Sequence, residues 1–143
     1  MVDLKRSGQR IFTGFHRQVF DLTKGRLAGR AFGMPVVKLT TIGRKSGQPR
    51  DTMLTTPIHD DSRVVLVASA NAAPQDPAWY LNLRQDPAVT ITMEGRSRSM
   101  VARTASEDEK AQLWPQIVAA YKGYAGYAAK TDRNIPVVIL QPA

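Results

Sequence analysis

Residues 36–69 read VVKLTTIGRKSGQPRDTMLTTPIHDDSRVVLVAS, and this stretch decides the fold class. Residues 36–41, 52–58 and 63–69 are rich in β-branched and apolar side chains, which is the pattern of strands. A basic, glycine-flanked loop separates the first two, and residues 59–62 have the aspartate and serine side chains of a turn. Strands linked by turns predict an antiparallel sheet.

The second half of the chain adds strands in the same manner. Residues 89–93 alternate apolar side chains with threonines, and residues 94–96 turn the chain back into residues 97–104, which predicts a hairpin. A last apolar run, residues 135–140, predicts the final strand. About six strands, with helices inserted late in the chain, predict an α+β fold in which an antiparallel barrel has flanking helices.

Two segments carry the start signals of helices. Asp76 and Pro77 predict an N-cap followed by proline at the first helical position. Ser106 and Glu109 have the spacing of a capping box at the start of a second helix. A proline inside a helix removes a hydrogen bond, so Pro115 is expected to kink or split this second helix.

Composition limits the chemistry that side chains alone can supply. With 143 residues, 43% of them hydrophobic and 22% charged, the chain has the size and composition of one globular domain. It contains no cysteine, which excludes disulfides, thiolate metal sites and cysteine nucleophiles. Its two histidines, His16 and His59, lack the spacing of a metal site or a catalytic triad, so no metal is expected. An enzymatic reaction here would depend on a bound cofactor.

Positive charge is concentrated near the N-terminus. Residues 1–50 hold eleven basic and two acidic side chains, whereas residues 51–143 hold nine basic and ten acidic ones. This asymmetry indicates an anionic partner near the first third of the chain. Charge alone leaves nucleic acid, a membrane surface and a phosphorylated small molecule open.

The first thirty residues are predicted to form a separate element. Residues 9–27 have apolar side chains at helical spacing with basic residues between them. We therefore divide the chain into a basic amphipathic extension, residues 1–30, and a domain, residues 31–143. The helix either packs on the domain or lies on an anionic membrane surface. Neither a membrane span nor a signal-peptide core is present in the sequence, so we expect a cytoplasmic protein, with peripheral contact at the inner face of the cell membrane left open.

The loop between the first two strands is the leading candidate for a binding site. Residues 41–50 read TIGRKSGQPR. Small residues expose backbone N–H groups there, while Arg44, Lys45 and Arg50 supply three positive charges, and such a loop suits a phosphate group. Its spacing differs from that of a Walker loop, and a strand follows it instead of a helix. An ordinary basic β-turn is the alternative.

Two further segments could accompany this loop. Residues 67–73 end a strand in small side chains, which would let a planar ring approach the backbone, and Trp79 and Tyr80 follow. Tyr121, Tyr124 and Tyr127 recur every third residue, which places them along one slowly rotating helix face. The rings of both sets could instead be ordinary packed aromatics.

Four stretches together resemble the deazaflavin-dependent nitroreductase family of actinobacteria: GRKSGQPR at 43–50, VAS at 67–69, PAWYLNL at 77–83 and DRNIP at 132–136. The first and third are specific as a pair, and the similarity covers about residues 30–142. Members of that family have a split β-barrel, similar to the FMN-binding split barrels, and use the deazaflavin coenzyme F420. The resemblance therefore implies an F420-dependent reductase that transfers hydride to a quinone, nitroaromatic or enone-type acceptor.

The resemblance also implies roles for individual residues. The expected cofactor-binding residues are Arg44, Lys45, Ser46, Gly47, Arg50, Val67, Ala68, Ser69, Ala70, Ala78, Trp79, Tyr80, Asn82 and Tyr124. The expected substrate-binding residues are Thr56, Ser69, Tyr121, Tyr124 and Tyr127, and the expected catalytic residues are Ser69, Tyr124 and Tyr127. Ser69 would donate a hydrogen bond to the acceptor oxygen as negative charge develops there, and the proton would come from Ser69, Tyr124, Tyr127 or water.

The chain also departs from the family pattern. Ala70 replaces a lysine of the nitroreductase that defines the family, so one positive charge on the cofactor side is absent. Thr56 replaces a tyrosine of the substrate pocket and Met53 a proline, so the acceptor range is expected to differ. The alternatives are an FMN-binding split-barrel oxidoreductase, a non-catalytic F420 carrier, and a non-enzymatic basic module that binds membrane or nucleic acid. No nucleic-acid-binding signature is present, so we expect no nucleic acid partner, and we expect a monomer.

Overall fold

The computed structural model describes residues 30–70 and 73–143. The strands in these residues are β1 (Arg30–Ala31), β2 (Met34–Ile42), β3 (Pro49–Thr55), β4 (Ile58–His59), β5 (Val64–Val67), β6 (Ala88–Met93), β7 (Arg96–Thr104) and β8 (Val137–Pro142). The helices are α1 (Ala78–Gln85), α2 (Glu107–Ala120) and α3 (Gly123–Lys130). None of these helices is long and apolar enough to cross a membrane. The predicted helix of residues 9–27 lies outside the described residues.

The strands form one antiparallel sheet. Its hydrogen-bonded order is β1-β2-β6-β7-β8-β5-β4, and β3 pairs with β2 beside this path. The predicted α+β fold with an antiparallel sheet is confirmed. The prediction of a barrel is wrong in one respect, because in residues 30–70 and 73–143 no strand pairing joins β3 to β4 and the sheet stays open.

A break at Thr56 and Pro57 separates β3 from β4. The predicted strand of residues 52–58 is interrupted there, since β3 ends at Thr55 and β4 begins at Ile58. Thr56 N–H donates to Pro35 O at 3.0 Å, which continues the β2–β3 register by one pair, but Pro57 has no N–H to donate to a ladder. The described chain has eight strands instead of about six: this break adds β4, and β1 is the other addition.

Both faces of the sheet are covered, and β5 shows this directly. Val64 and Leu66 point into a core formed with α1, whereas Val65 and Val67 point into a second core formed with α2 and α3. Alternate strand residues face opposite sides, so a strand buried on both faces must be apolar throughout. The unbroken run Val64–Val67 in the sequence reflects this double burial.

The helix starts follow the sequence in one case and depart from it in another. At α2 the capping box is confirmed: Glu109 N–H donates to Ser106 Oγ at 3.2 Å, and Ser106 N–H donates to the Glu109 carboxylate at 3.0 Å. The predicted cap of α1 is wrong, because the capping residue is Pro77 and no side chain caps the helix. The Asp76 carboxylate instead accepts a hydrogen bond from Arg133.

Pro115 does not split α2, which runs without interruption from Glu107 to Ala120. A proline leaves the carbonyl four residues earlier without its helical donor. Here that carbonyl belongs to Ala111, and both residues lie on the exposed side of the helix, where water can satisfy it. The exposed position therefore explains why the proline is tolerated.

Candidate active site

A cavity of about 300 Å³ lies where the end of β5 meets β2, β3, α1 and α3. Its walls are formed by Ala31, Phe32, Val36, Met53, Leu54, Thr55, Val67, Ser69, Ala70, Trp79, Tyr121, Tyr124 and Tyr127. Most of these side chains are apolar or aromatic, and the polar groups among them are hydroxyls. A concave apolar site with a few polar groups is typical of small-molecule binding.

The end of β5 contributes the small residues of this wall. Val67 is the last residue of the strand, and Ser69 and Ala70 follow it. Ala70 has a positive φ of 47°, a left-handed conformation that is uncommon for a residue other than glycine. This backbone turns the chain out of the strand at the cavity, and Ser69 stays buried with 8% of its surface exposed.

Four aromatic rings form the opposite wall. Phe32 lies 5.3 Å from Tyr121, measured between ring centroids, and Tyr121 lies 5.3 Å from Tyr124 and 6.3 Å from Tyr127. Offset or edge contacts at such distances stabilise aromatic clusters. The three tyrosines do not share one helix as predicted, because Tyr121 caps the end of α2 whereas Tyr124 and Tyr127 lie on α3. The chain turns between the helices, and this brings all three rings together.

Tyr124 holds its hydroxyl at the inner end of the cavity. The Tyr124 hydroxyl lies 3.1 Å from Thr55 Oγ1 and 3.7 Å from Met34 Sδ. Burial raises the pKa of Tyr124, and the hydrogen bond to Thr55 opposes this only in part. A hydrogen bond with the Tyr121 side chain, with burial acting in the same direction, raises the pKa of Tyr127 to about 12. Both phenols therefore stay neutral, and can donate hydrogen bonds, throughout the neutral and mildly alkaline range.

These shifts predict a late tyrosine titration. A phenol is neutral below its pKa, so a raised pKa keeps the neutral form to higher pH. In ligand-free protein, Tyr124 and Tyr127 should ionise above the usual value of about 10, and Tyr127→Phe should remove part of the tyrosinate absorbance that appears at high pH. Urea-unfolded protein should lose this late ionisation. A high-pH titration that Tyr127→Phe leaves unchanged would contradict this picture.

The basic loop of residues 43–50 is a compact turn. Gly47 N–H donates to Gly43 O at 2.8 Å, and Gly43 N–H donates to Gln48 O at 2.8 Å. Gly47 has a φ of +71°, and a side chain at Gly43 would meet Ser46 Oγ at 2.6 Å, so this turn needs both glycines. Arg50 donates to Ser46 Oγ at 3.1 Å across the turn.

The loop of residues 43–50 has cations without carboxylate partners and backbone N–H groups without acceptors among the described residues. In the part of the chain that the structure describes, no carboxylate lies within ion-pair distance of Arg44, Lys45 or Arg50. The backbone N–H groups of Lys45 and Ser46 likewise donate to none of the described residues. Unpaired N–H groups in a turn, together with unpaired cations, form a site for an anionic group such as phosphate.

Helix α1 connects the loop to the cavity. Asn82 is 4% exposed, and its carbonyl oxygen accepts from Arg44 N at 3.1 Å and from the Arg44 guanidinium at 3.0 Å. Its amide group donates to Thr41 Oγ1 at 3.2 Å. Trp79, three residues earlier and so on the same side of the helix, forms part of the cavity wall. The loop and the cavity are thus neighbouring parts of one site.

Of the seventeen residues predicted for this site, seven lie in the wall of the cavity. Those in the wall are Val67, Ser69, Ala70, Trp79, Tyr121, Tyr124 and Tyr127. Those in the loop are Arg44, Lys45, Ser46, Gly47 and Arg50, and Asn82 anchors this loop. Ala68, Ala78, Tyr80 and Thr56 lie outside the wall.

Thr56 and Tyr80 direct their hydroxyls elsewhere. Thr56 Oγ1 lies 2.8 Å from Ile58 O and 2.7 Å from Val65 O, and the residue is 1% exposed. The Tyr80 hydroxyl lies 2.9 Å from Thr104 Oγ1, and its ring packs in the core beneath α1. Both hydroxyls therefore stabilise the sheet and are not available to a ligand in the cavity.

Phe32, Val36 and Thr55 belong to the wall but were not predicted from the sequence. Phe32 has a positive φ of 53° and an exposed side chain that stacks on Tyr121. The sequence predicts Thr55 only as part of a strand. Its position next to Thr56 and its small polar side chain could have indicated a residue of the site. Its partner Tyr124 lies 69 residues away, which no local pattern could indicate.

An apolar, aromatic cavity beside a cationic turn has the chemistry of a site for a ligand with a flat ring and an anionic tail. The sequence model of the family described as F420H(2)-dependent quinone reductase matches residues 10–142. The chain belongs to this family, and the resemblance predicted from its motifs is confirmed at that level. The match begins inside the predicted N-terminal extension.

Individual relatives agree with this assignment. A putative F420H(2)-dependent quinone reductase of Mycobacterium tuberculosis is 38% identical over 115 residues, which cover 80% of this chain and 96% of that one. A solved structure of an F420-H2 dependent reductase is 35% identical with a TM-score of 0.68, covering 75% of this chain and 94% of that one. A second solved structure, described only as a domain-swapped dimer, is 32% identical with a TM-score of 0.70, covering 90% of this chain and 98% of that one.

Proposed function

We propose that this protein is an F420-dependent oxidoreductase that reduces a quinone, with nitroaromatic and enone-type compounds as further acceptors. The observation that carries the proposal is the pairing of one cationic turn with one apolar cavity through α1. The family and the relatives named above support F420 as the cofactor and a quinone as the acceptor.

The residues present fit the chemistry of F420. Lys45, Ser46, Gly47 and Arg50 would hold its phosphate with two cations and free N–H groups, and Arg44 would lie near its anionic tail. The small residues Val67, Ser69 and Ala70 leave room for a planar ring against the backbone, with Trp79 at its border. When bound, reduced F420 supplies a hydride to the acceptor.

The side chains of the cavity would orient and polarise the acceptor. The Ser69 hydroxyl makes no hydrogen bond to the described residues, and it keeps some exposure, because none of their fully buried side-chain oxygens lacks a partner. Since Ser69 lies in the cavity wall, its hydroxyl is available to donate to an acceptor oxygen on which negative charge develops. The phenols of Tyr124 and Tyr127 are held neutral by their raised pKa values and serve as hydrogen-bond donors. The aromatic wall excludes water from the reacting atoms. Reduction of a quinone also needs one proton, for which these three hydroxyls and water are the available sources.

Three further predictions are part of this proposal: the type of barrel, the location in the cell and the oligomeric state. Solved structures at lower identity share the fold with this chain, which supports a split barrel whose two halves are not joined by hydrogen bonds between β3 and β4. We further propose a cytoplasmic monomer whose N-terminal extension makes peripheral contact with an anionic membrane. The domain-swapped dimer among the relatives makes the oligomeric state a quantity to measure.

Fluorescence titration tests the cofactor assignment against the FMN alternative. Of the two tryptophans, Trp79 forms part of the cavity wall and Trp114 packs on the other core, so Trp114→Phe leaves one reporter in the site. F420 should quench Trp79 with much higher affinity than FMN, and added salt should weaken binding because phosphate contacts are electrostatic. Preference for FMN would assign the protein to the flavin alternative, and binding of neither would overturn the proposal.

A further inference from the structure

Arg133 connects the cavity to a distant part of the chain. Its guanidinium donates to Ala68 O at 2.9 Å, to Ser69 O at 2.6 Å and to Ala73 O at 3.1 Å. It also pairs with the Asp76 carboxylate. The Arg133 side chain is 11% exposed, and it forms no part of the cavity wall. One buried cation therefore holds backbone groups on both sides of the connection between β5 and α1.

These contacts fix the direction of two peptide groups. A trans peptide is planar, so its N–H points opposite to its C=O, and the described chain has no cis peptide. The carbonyls of Ala68 and Ser69 both point at Arg133. The N–H groups of Ser69 and Ala70 must therefore both point away from it.

Two consecutive N–H groups with a common direction are uncommon in a strand, where they alternate. The two peptide planes meet at the Cα of Ser69, so the backbone dihedrals of Ser69, which lies beyond the end of β5, set this common direction. The N–H groups of Ser69 and Ala70 donate to none of the described residues. Both residues lie in the cavity wall.

We propose that Arg133 is a positioning residue that presents the N–H groups of Ser69 and Ala70, together with the Ser69 hydroxyl, to an oxygen atom bound in the cavity. This proposal rests on the proposed function, because the oxygen belongs to the acceptor or to a ring carbonyl of the coenzyme. Three converging donors stabilise negative charge on such an oxygen better than one hydroxyl does. The planar guanidinium is needed because its several donors reach separate carbonyls at once, which a lysine ammonium cannot reproduce in the same geometry.

The test compares Arg133→Lys with a matched control, Arg103→Lys. Arg103 forms an exposed two-point ion pair with Glu109, remote from the cavity wall. Both changes keep the charge and remove a planar guanidinium. Arg133→Lys should lower kcat with a soluble naphthoquinone about 100-fold at temperatures where both variants are folded, the size expected when reacting groups are misplaced by about 1 Å. Arg103→Lys should leave kcat unchanged.

Two further measurements separate positioning from simple stabilisation. In a Ser69→Ala background, Arg133→Lys should lower kcat by much less than 100-fold, because the effects of two residues that act as one unit are not additive. Arg133→Lys should change the affinity for F420 and the affinity for a deazaflavin that lacks the phosphate by the same factor, since the phosphate loop is untouched. Full additivity with Ser69→Ala, or wild-type kcat in Arg133→Lys, would overturn the proposal.

A measurement without coenzyme keeps this inference separate from the proposed function. In ligand-free protein the backbone amide signals of Ser69 and Ala70 should shift in the NMR spectrum of Arg133→Lys and stay in place in Arg103→Lys. Unmoved Ser69 and Ala70 signals would overturn the role of Arg133 even if the wild-type enzyme reduces quinones. If the signals shift but the wild-type protein fails to bind F420, the role of Arg133 stands and only the proposed function is overturned.

Discussion

Replacing Lys45 and Arg50 together by alanine should lower the affinity for F420 by about 10²–10⁴-fold. Each cation is exposed on the turn of residues 43–50 and lacks a carboxylate partner among the described residues, so its charge is available to a phosphate. A hydrogen bond to a charged group contributes about 10-fold to 100-fold in binding, and two of them multiply when they act independently. Fluorescence titration of Trp79 measures the change.

The control for this variant removes the same net charge elsewhere. Arg96 and Lys130 are exposed and lie outside both the loop and the cavity wall, so Arg96→Ala with Lys130→Ala should retain the wild-type affinity. The loop variant should also show a weaker dependence of binding on salt, because fewer charges meet the phosphate. Equal losses in the two double variants would mean that overall charge, and not the loop, attracts the coenzyme.

Ser69→Ala should lower kcat with a quinone about 10²-fold or more while changing the affinity for F420 little. A donor aimed at an atom that gains negative charge acts mainly in the transition state, and removing one such donor typically costs 10²–10³-fold in kcat. Ser69 is 8% exposed and lies in the cavity wall just beyond β5, and its hydroxyl makes no hydrogen bond to the described residues. Steady-state rates at saturating F420, with binding measured separately, distinguish the two effects.

Ser99→Ala is the matched control for this second variant. Ser99 is exposed on β7 and forms no part of the cavity wall, so its loss should leave kcat and affinity unchanged. Ser69→Thr keeps a hydroxyl but adds a methyl group against a close-packed wall, and partial activity is expected. An Ser69→Ala enzyme with wild-type kcat would show that the backbone donors or the tyrosines polarise the acceptor without the serine hydroxyl.

Features determined by neighbouring residues could be predicted from the sequence. The capping box at Ser106 and Glu109 depends on contacts three residues apart, and the turn at 43–50 depends on its own glycines. The double burial of β5 leaves an unbroken apolar run that any pattern analysis detects. Local chemistry and alternation therefore predicted the antiparallel sheet and the loop that we assign to the phosphate.

Features that depend on distant partners could not be predicted in this way. Asp76 has the sequence of an N-cap, but the ion pair with Arg133, 57 residues away, takes its carboxylate. Tyr124 reaches Met34, 90 residues earlier in the chain, and the turn between α2 and α3 decides where its ring lies. The break in the predicted strand of residues 52–58 also involves the Thr56 hydroxyl, which donates to Val65 O on β5, nine residues later.

An anaerobic single-turnover measurement with the protein tests hydride transfer from F420 to a quinone. Reduced F420, prebound to an excess of protein, is mixed with a soluble naphthoquinone, and the visible absorbance of oxidised deazaflavin is followed. We expect rapid oxidation, one hydroquinone formed per coenzyme, and a large loss of the protein-dependent rate in the Lys45→Ala, Arg50→Ala double variant. Oxidation no faster than in protein-free buffer, with the wild-type protein shown to bind F420, would contradict this function and leave a coenzyme carrier in its place.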